Sequence, residues 1–97
     1  MVAIDELKLP ISLTELRNIL VSHGVEEARL YGSYARGEAD SSSDLDLLVK
    51  LGPDRDLFDL AALQRDLEER LPCGVDLATK LHPRFEPYIS GDLIRVL

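Results

Sequence analysis

Residues 44–51, Asp-Leu-Asp-Leu-Leu-Val-Lys-Leu, are stopped at once by Gly52-Pro53. A run this dense in Leu and Val, closed by a turn pair, reads as a strand. Its two aspartates constrain the chain further. Successive strand side chains point to opposite faces, so Asp44 and Asp46 share one face, roughly 7 Å apart, while Leu45 and Leu47 point to the core. Like charges on one face repel and oppose folding. Either that face is bathed in water, or a cation stands on it.

Helical and extended patterns alternate on both sides of this strand. Ser12-Leu13-Thr14-Glu15 has the spacing of a capping box. Leu13, Leu16, Ile19 and Leu20 then recur at helical period, and Gly24 is a stop, which predicts a helix from about Leu13 to His23. "VEEARLY" predicts a strand ending near Tyr31. Gly32 and Ser33 turn the chain, "YARGEA" can form a short helix, and "DSSS" is loop. After Gly52-Pro53 comes a second long helix, started by Asp54 or Asp56 and ended by Pro72. Leu57, Leu60, Ala61, Leu67 and Leu71 mark its predicted core face. "GVDLATKL" predicts a third strand, and Pro83 opens a short helix in "RFEPYIS". "DLIRVL" is a final strand or a helical tail. The order α-β-α-β-α-β argues for the α/β class, with helices covering a small sheet. With 97 residues, the expectation is a single domain, 1–97, around one modest core.

Charge and composition exclude several function classes. The formal charge of −7 repels a phosphate backbone, so extended nucleic-acid binding is not expected. One nucleotide carried with a divalent cation is compatible with it. No apolar run approaches the roughly 20 residues of a membrane span, and nothing near Met1 reads as a signal peptide. Cys73 is the only cysteine, which excludes an internal disulfide and, with no export signal, points to the cytoplasm. No His/Cys spacing suggests zinc. His23 closes a helix and His82 precedes Pro83, and neither is assigned chemistry. "RDLEER" reads as a solvated helix face.

The stretch "YGSYARGEADSSSDLDLLV" gathers what remains. Glycine at 32 lets backbone approach a ligand closely. A helix starting there would aim free N–H groups at an anion, and the Ser33 hydroxyl adds a donor. Arg36 offers a charge-assisted bond to a phosphate oxygen, or an ion pair with Glu38. Mg²⁺ takes one or two carboxylates plus substrate phosphates, which suits Asp44 and Asp46. Asp76, isolated among apolar residues on the next strand, is a candidate third carboxylate, for metal or for proton transfer. An edge-strand acid facing water would look the same. Tyr31, at a strand end, reads as core. Tyr34 is equally placed to pack or to stack on a base.

Gly32-Ser33, ten residues, then Asp44-Leu45-Asp46 has the form G-S-x10-D-x-D. This resembles the signature of the DNA polymerase β-like nucleotidyltransferase superfamily, and the fuller string "GSYARGEADSSSDLDLLV" is similar to its minimal nucleotidyltransferase (MNT) branch. The resemblance implies an α+β nucleotidyltransferase fold with a small mixed sheet. It implies that Gly32, Ser33 and Arg36 serve the triphosphate of ATP, and that Asp44, Asp46 and Asp76 bind Mg²⁺ and carry catalysis. It further implies a partner. In the MNT branch this is a HEPN-domain toxin, which the MNT protein, as antitoxin, modifies with AMP on a tyrosine. Two other roles stay open, a non-catalytic antitoxin that blocks a partner ribonuclease and a small-molecule (antibiotic) adenylyltransferase. So does assembly as a homo-oligomer or with the toxin.

Overall fold

The computed structural model describes residues 9–40, 42–79 and 93–97. Helix α1 (Leu13–Ser22) begins where the Ser12 hydroxyl accepts a hydrogen bond from the Glu15 amide at 3.2 Å, and His23 caps its end. Strand β1 (Val25–Tyr31) follows, then a five-residue helix α2 (Gly32–Arg36). Strand β2 (Leu45–Leu51) leads into α3 (Leu57–Arg70), β3 (Val75–Ala78) and β4 (Ile94–Arg95).

The four strands form one mixed sheet in the order β3-β2-β1-β4. β1 runs antiparallel to β2 and to β4, while β2 and β3 run parallel. A parallel pair cannot be joined by a tight hairpin. Here α3 makes the crossover, and its Gln64 amide donates to the Val75 carbonyl at 3.1 Å. One face of the sheet carries Ala28, Leu30, Leu45, Leu47, Val49, Val75 and Ile94, all buried with Leu16, Ile19 and Leu20 of α1 and Leu63 and Leu67 of α3. The helical layer is tied together by Asp66. One of its oxygens lies 2.9 Å from His23 Nε2, and the other accepts from Arg70 Nε at 2.7 Å. Arg17 Nε of α1 donates to the Val96 carbonyl at 2.6 Å, next to β4.

Several sequence expectations are sharpened and one is corrected. The start of α3 is Asp56 rather than Asp54, and a complete capping box with Asp59 forms there. The ending "DLIRVL" supplies a strand, not a helical tail. The third strand is four residues long. Lys80, Leu81 and the expected 84–90 helix lie outside the described residues, as does His82. The correction concerns the core face of α3. Leu57 is 75 % exposed and Ala61 is exposed, whereas Leu63, which the sequence pattern passed over, is fully buried. The buried line runs Leu63, Leu67 and Leu71, with Leu60 half-buried beside it, set by where the crossover lays α3 on the sheet rather than by the first apolar residue after the cap.

The burial pattern gives an expected outcome. Leu63→Ala should cost about 2–5 kcal/mol by loss of contacts and a residual cavity. Leu57→Ala should change stability by less than about 0.5 kcal/mol. Urea denaturation of the two variants side by side measures the difference.

Candidate active site

The side chains on the other face of the sheet are set by the same register. Asp46 on β2 pairs with Asp76 on β3 and, across the opposite edge of the strand, with Tyr31 on β1. Cross-strand partners share a face, so Asp76, Asp46 and Tyr31 form one row. Tyr31 is therefore not core. It is half-exposed, because the helix begins directly after it and leaves its ring at the margin of the acids. Asp44 stands one residue before β2, exposed, and not within the strand as its spacing suggested.

Two glycines make this crowding possible. Gly32 opens α2 with φ +76°, in the left-handed region, and a Cβ there would overlap the Asp46 carboxylate. The phosphate-turn candidate and the central acid are thus in direct contact. Gly74, which the sequence reading missed, lies against Asp44. A Cβ on it would come within 2.5 Å of Asp44 Oδ1. Its carbonyl also accepts from the Leu45 amide at 2.9 Å, so it closes the sheet just where the acids begin. The available signal was its position directly before a strand with one isolated acid. A second missed residue is Asp40. Its carboxylate accepts from the Ser42 amide at 2.8 Å and the Ser42 hydroxyl at 2.6 Å, which holds the serine loop in a turn.

The electrostatics follow from this packing. Burial, then the charges of Asp76 and Asp44, push the Asp46 carboxyl above its ordinary range, with Arg36 acting in the opposite direction. Burial and the same neighbours, Asp76 and Asp46, raise the Tyr31 phenol. Arg36 Nε donates to Glu38 at 3.1 Å, so its ion pair is formed while its charge is still felt at Asp46. The Ser33 hydroxyl has no hydrogen-bond partner among the described residues. Tyr34 packs against the core, where burial and the neighbouring Cys73 thiol raise its phenol.

Among the described residues, no three His, Cys, Asp or Glu side chains close on a common metal position. The donor set nevertheless suits Mg²⁺, which takes one or two carboxylates and completes its shell with phosphate and water.

A family model described as a nucleotidyltransferase domain matches residues 13–95. The chain belongs to the nucleotidyltransferase domain family. It is an enzyme of the nucleotidyltransferase type. Its relatives include the candidate protein adenylyltransferase MJ0435 of Methanocaldococcus jannaschii, 42 % identical over 81 % of this chain and 87 % of that one. Another is the protein adenylyltransferase MntA of Thermococcus cleftensis, 37 % identical over 72 % of this chain and 79 % of that one. Among solved structures, a candidate minimal nucleotidyltransferase superposes with a TM-score of 0.72 at 37 % identity, covering 84 % of this chain and 86 % of the other. A toxin-antitoxin structure with AMP-PNP shares the fold, with a TM-score of 0.73 at 18 % identity over 90 % of this chain and 73 % of that one. The α+β nucleotidyltransferase fold and the mixed sheet are as the sequence resemblance implied. No described helix of this nucleotidyltransferase is long and apolar enough to cross a membrane.

The charge balance at Asp46 has a measurable consequence. A carboxyl whose folded pKa lies above its unfolded value subtracts stability when ionised, and the penalty fades as pH falls through that raised value. Asp46→Asn should therefore raise the melting temperature of the ligand-free nucleotidyltransferase at pH 7, by the equivalent of about 0.5 kcal/mol, the scale of one cross-strand pair. The gain should shrink as the pH approaches the carboxylate range. Thermal melts from pH 7 down to pH 4 follow it.

Proposed function

We propose that this nucleotidyltransferase transfers AMP from Mg²⁺-bound ATP to a hydroxyl of a partner protein. The acceptor is a tyrosine of a HEPN-domain toxin, so that the chain acts as a cytoplasmic antitoxin. The observation that carries the reading is the contact of Gly32 with the Asp46 carboxylate, which sets a phosphate turn against a carboxylate pair. The names of the relatives support protein adenylylation, and the toxin-antitoxin neighbours support the partner class.

Each residue then has a role. The Gly32 and Ser33 amides, which lie in the first turn of α2 and lack intrahelical partners, together with the Ser33 hydroxyl, hold the triphosphate. Arg36 adds a charge-assisted bond to a phosphate oxygen. Asp44 and Asp46 would hold Mg²⁺, with Asp76 as a third ligand. Bound there, the metal would supply charge neutralisation on the phosphates, while Ser33 and the turn orient the departing pyrophosphate. The acceptor oxygen forms its bond to the α-phosphorus as the bond from that phosphorus to the bridging oxygen breaks. Asp76, the more exposed of the cross-strand pair, takes the hydroxyl proton.

Two measurements test the proposal. With labelled ATP, Mg²⁺ and the toxin, mass spectrometry should show AMP added to the toxin. Asp44→Asn or Asp46→Asn should abolish the transfer in a chain that still melts cooperatively, and Asp76→Asn should slow it by about 10²–10⁴-fold. Inhibition of the toxin with no mass gain, unchanged in those variants, would show a stoichiometric blocker instead. Separately, Mg²⁺ with a non-hydrolysable ATP analogue should raise the melting temperature of the native chain by mass action, and EDTA should abolish the shift.

A further inference from the structure

One hydroxyl at the candidate active site has no role in the reaction above. Tyr31 ends β1 directly before Gly32, and register sets it opposite Asp46 on the face that bears the carboxylates. Opposed residues on one face have Cβ atoms about 4.5–5.5 Å apart. A tyrosine is longer than that spacing, so its oxygen can pass over the neighbouring strand. Burial raises the phenol first, then the charge of Asp76, then that of Asp46. Asp76 lies one strand further away in the register, yet it acts more strongly than Asp46. The phenolic oxygen therefore lies over the carboxylate pair and not toward β4.

The Tyr31 side chain is half-exposed, and its hydroxyl has no hydrogen-bond partner among the described residues. Tyr34 differs on both counts. It packs against the core, and its hydroxyl bonds with the Cys73 thiol. Tyr31 thus presents the same functional group as the proposed acceptor, free to move and already inside the site. It also joins the phosphate turn to the acid row, because Gly32 follows it in the chain and Asp46 faces it across the sheet. A triphosphate held between that turn and those acids lies beside the phenol. A hydroxyl held next to the reacting phosphorus needs no encounter step.

We propose, on the adenylyl-transfer reading above, that Tyr31 is an adenylylation site of this chain itself, accepting AMP from the nucleotide bound in its own site. The bond from Tyr31 Oη to the α-phosphorus forms as the bond from that phosphorus to the bridging oxygen breaks. Pyrophosphate leaves, and the phenolic proton passes to Asp76. The product carries its AMP on the acid row, where it covers Asp46 and Asp76 against a second nucleotide. Each chain therefore takes one AMP and then stops. A partner's hydroxyl, when bound, competes for the same phosphorus.

The test needs only the native chain, Mg²⁺ and ATP. Mass spectrometry should show one AMP added, and fragmentation should place it on Tyr31 rather than on Ser33, Tyr34 or Tyr88. Dilution of the chain by about tenfold should leave the first-order rate constant unchanged, as transfer within one chain requires. Asp46→Asn should abolish the addition in a chain that still melts cooperatively. The purified AMP-bearing chain should lose the rise in melting temperature that Mg²⁺ and a non-hydrolysable ATP analogue give the unmodified chain. AMP on other residues with Tyr31 unmodified, a rate constant that falls on dilution, addition that survives Asp46→Asn, or an undiminished melting shift overturns the proposal. So does a chain that modifies the toxin but not itself, and adenylyl transfer to a partner then stands. A chain that modifies neither fails earlier, at adenylyl transfer, and self-modification falls with it.

Discussion

The parallel pairing of β2 with β3 sets Asp46 beside Asp76, and much of the structure exists to make that pairing tolerable. Two carboxylates at adjacent positions on one face repel each other, and Asp44 adds to the repulsion at Asp46. The opposite face compensates. Leu45, Leu47, Val49 and Val75, the strand neighbours of the acids, are buried against α1 and α3. Both strands thus carry core on one side and acids on the other, and the period of two keeps them apart. The crossover helix that a parallel pair requires supplies part of that core through Leu63 and Leu67.

The same register fixes the neighbourhood of the acids. β1 brings Tyr31 to the other flank of Asp46 and ends there, so α2 starts within contact of the carboxylate. β4 pairs with β1 one step further along and brings Arg95 beside Arg29. A sheet of four strands thereby separates an acidic row from a row that is apolar at one end and basic at the other. The two rows lie one same-face step, about 7 Å, apart along the strands.

Much of this was legible in the sequence because its signals are local. Helix caps, the Gly52-Pro53 stop and the alternation around Asp46 all act within a few residues, and they predict six of the elements near their observed places. Gly32, Ser33, Arg36, Asp44, Asp46 and Asp76 were singled out from residue type and spacing, and the fold brings Gly32 to Asp46 and Asp46 to Asp76. What was not legible depends on pairing between distant segments. The burial of Leu63 in place of Leu57 follows from the docking of α3, which helical period alone leaves free within a turn. The roles of Gly74 against Asp44 and of Tyr31 beside Asp46 follow from register, which no single strand specifies. Arg29 and Arg95 stand 66 positions apart in sequence, and only the β1–β4 pair makes them neighbours.

The one-residue offset between Asp44 and the start of β2 divides the site mechanically. Asp46 sits on an inner strand, with a neighbour on each side, and its backbone moves only if the ladder moves. Asp44 lies outside that ladder, at the end of the serine loop, with its carboxylate resting on a glycine. In the proposed reaction the conformational entropy lost on binding would therefore be concentrated on Asp44, on the order of 0.5–1.5 kcal/mol for an immobilised side chain, while Asp46 is already held by the sheet. Under that proposal one acid would be a fixed reference for the nucleotide, and the other would adjust to it.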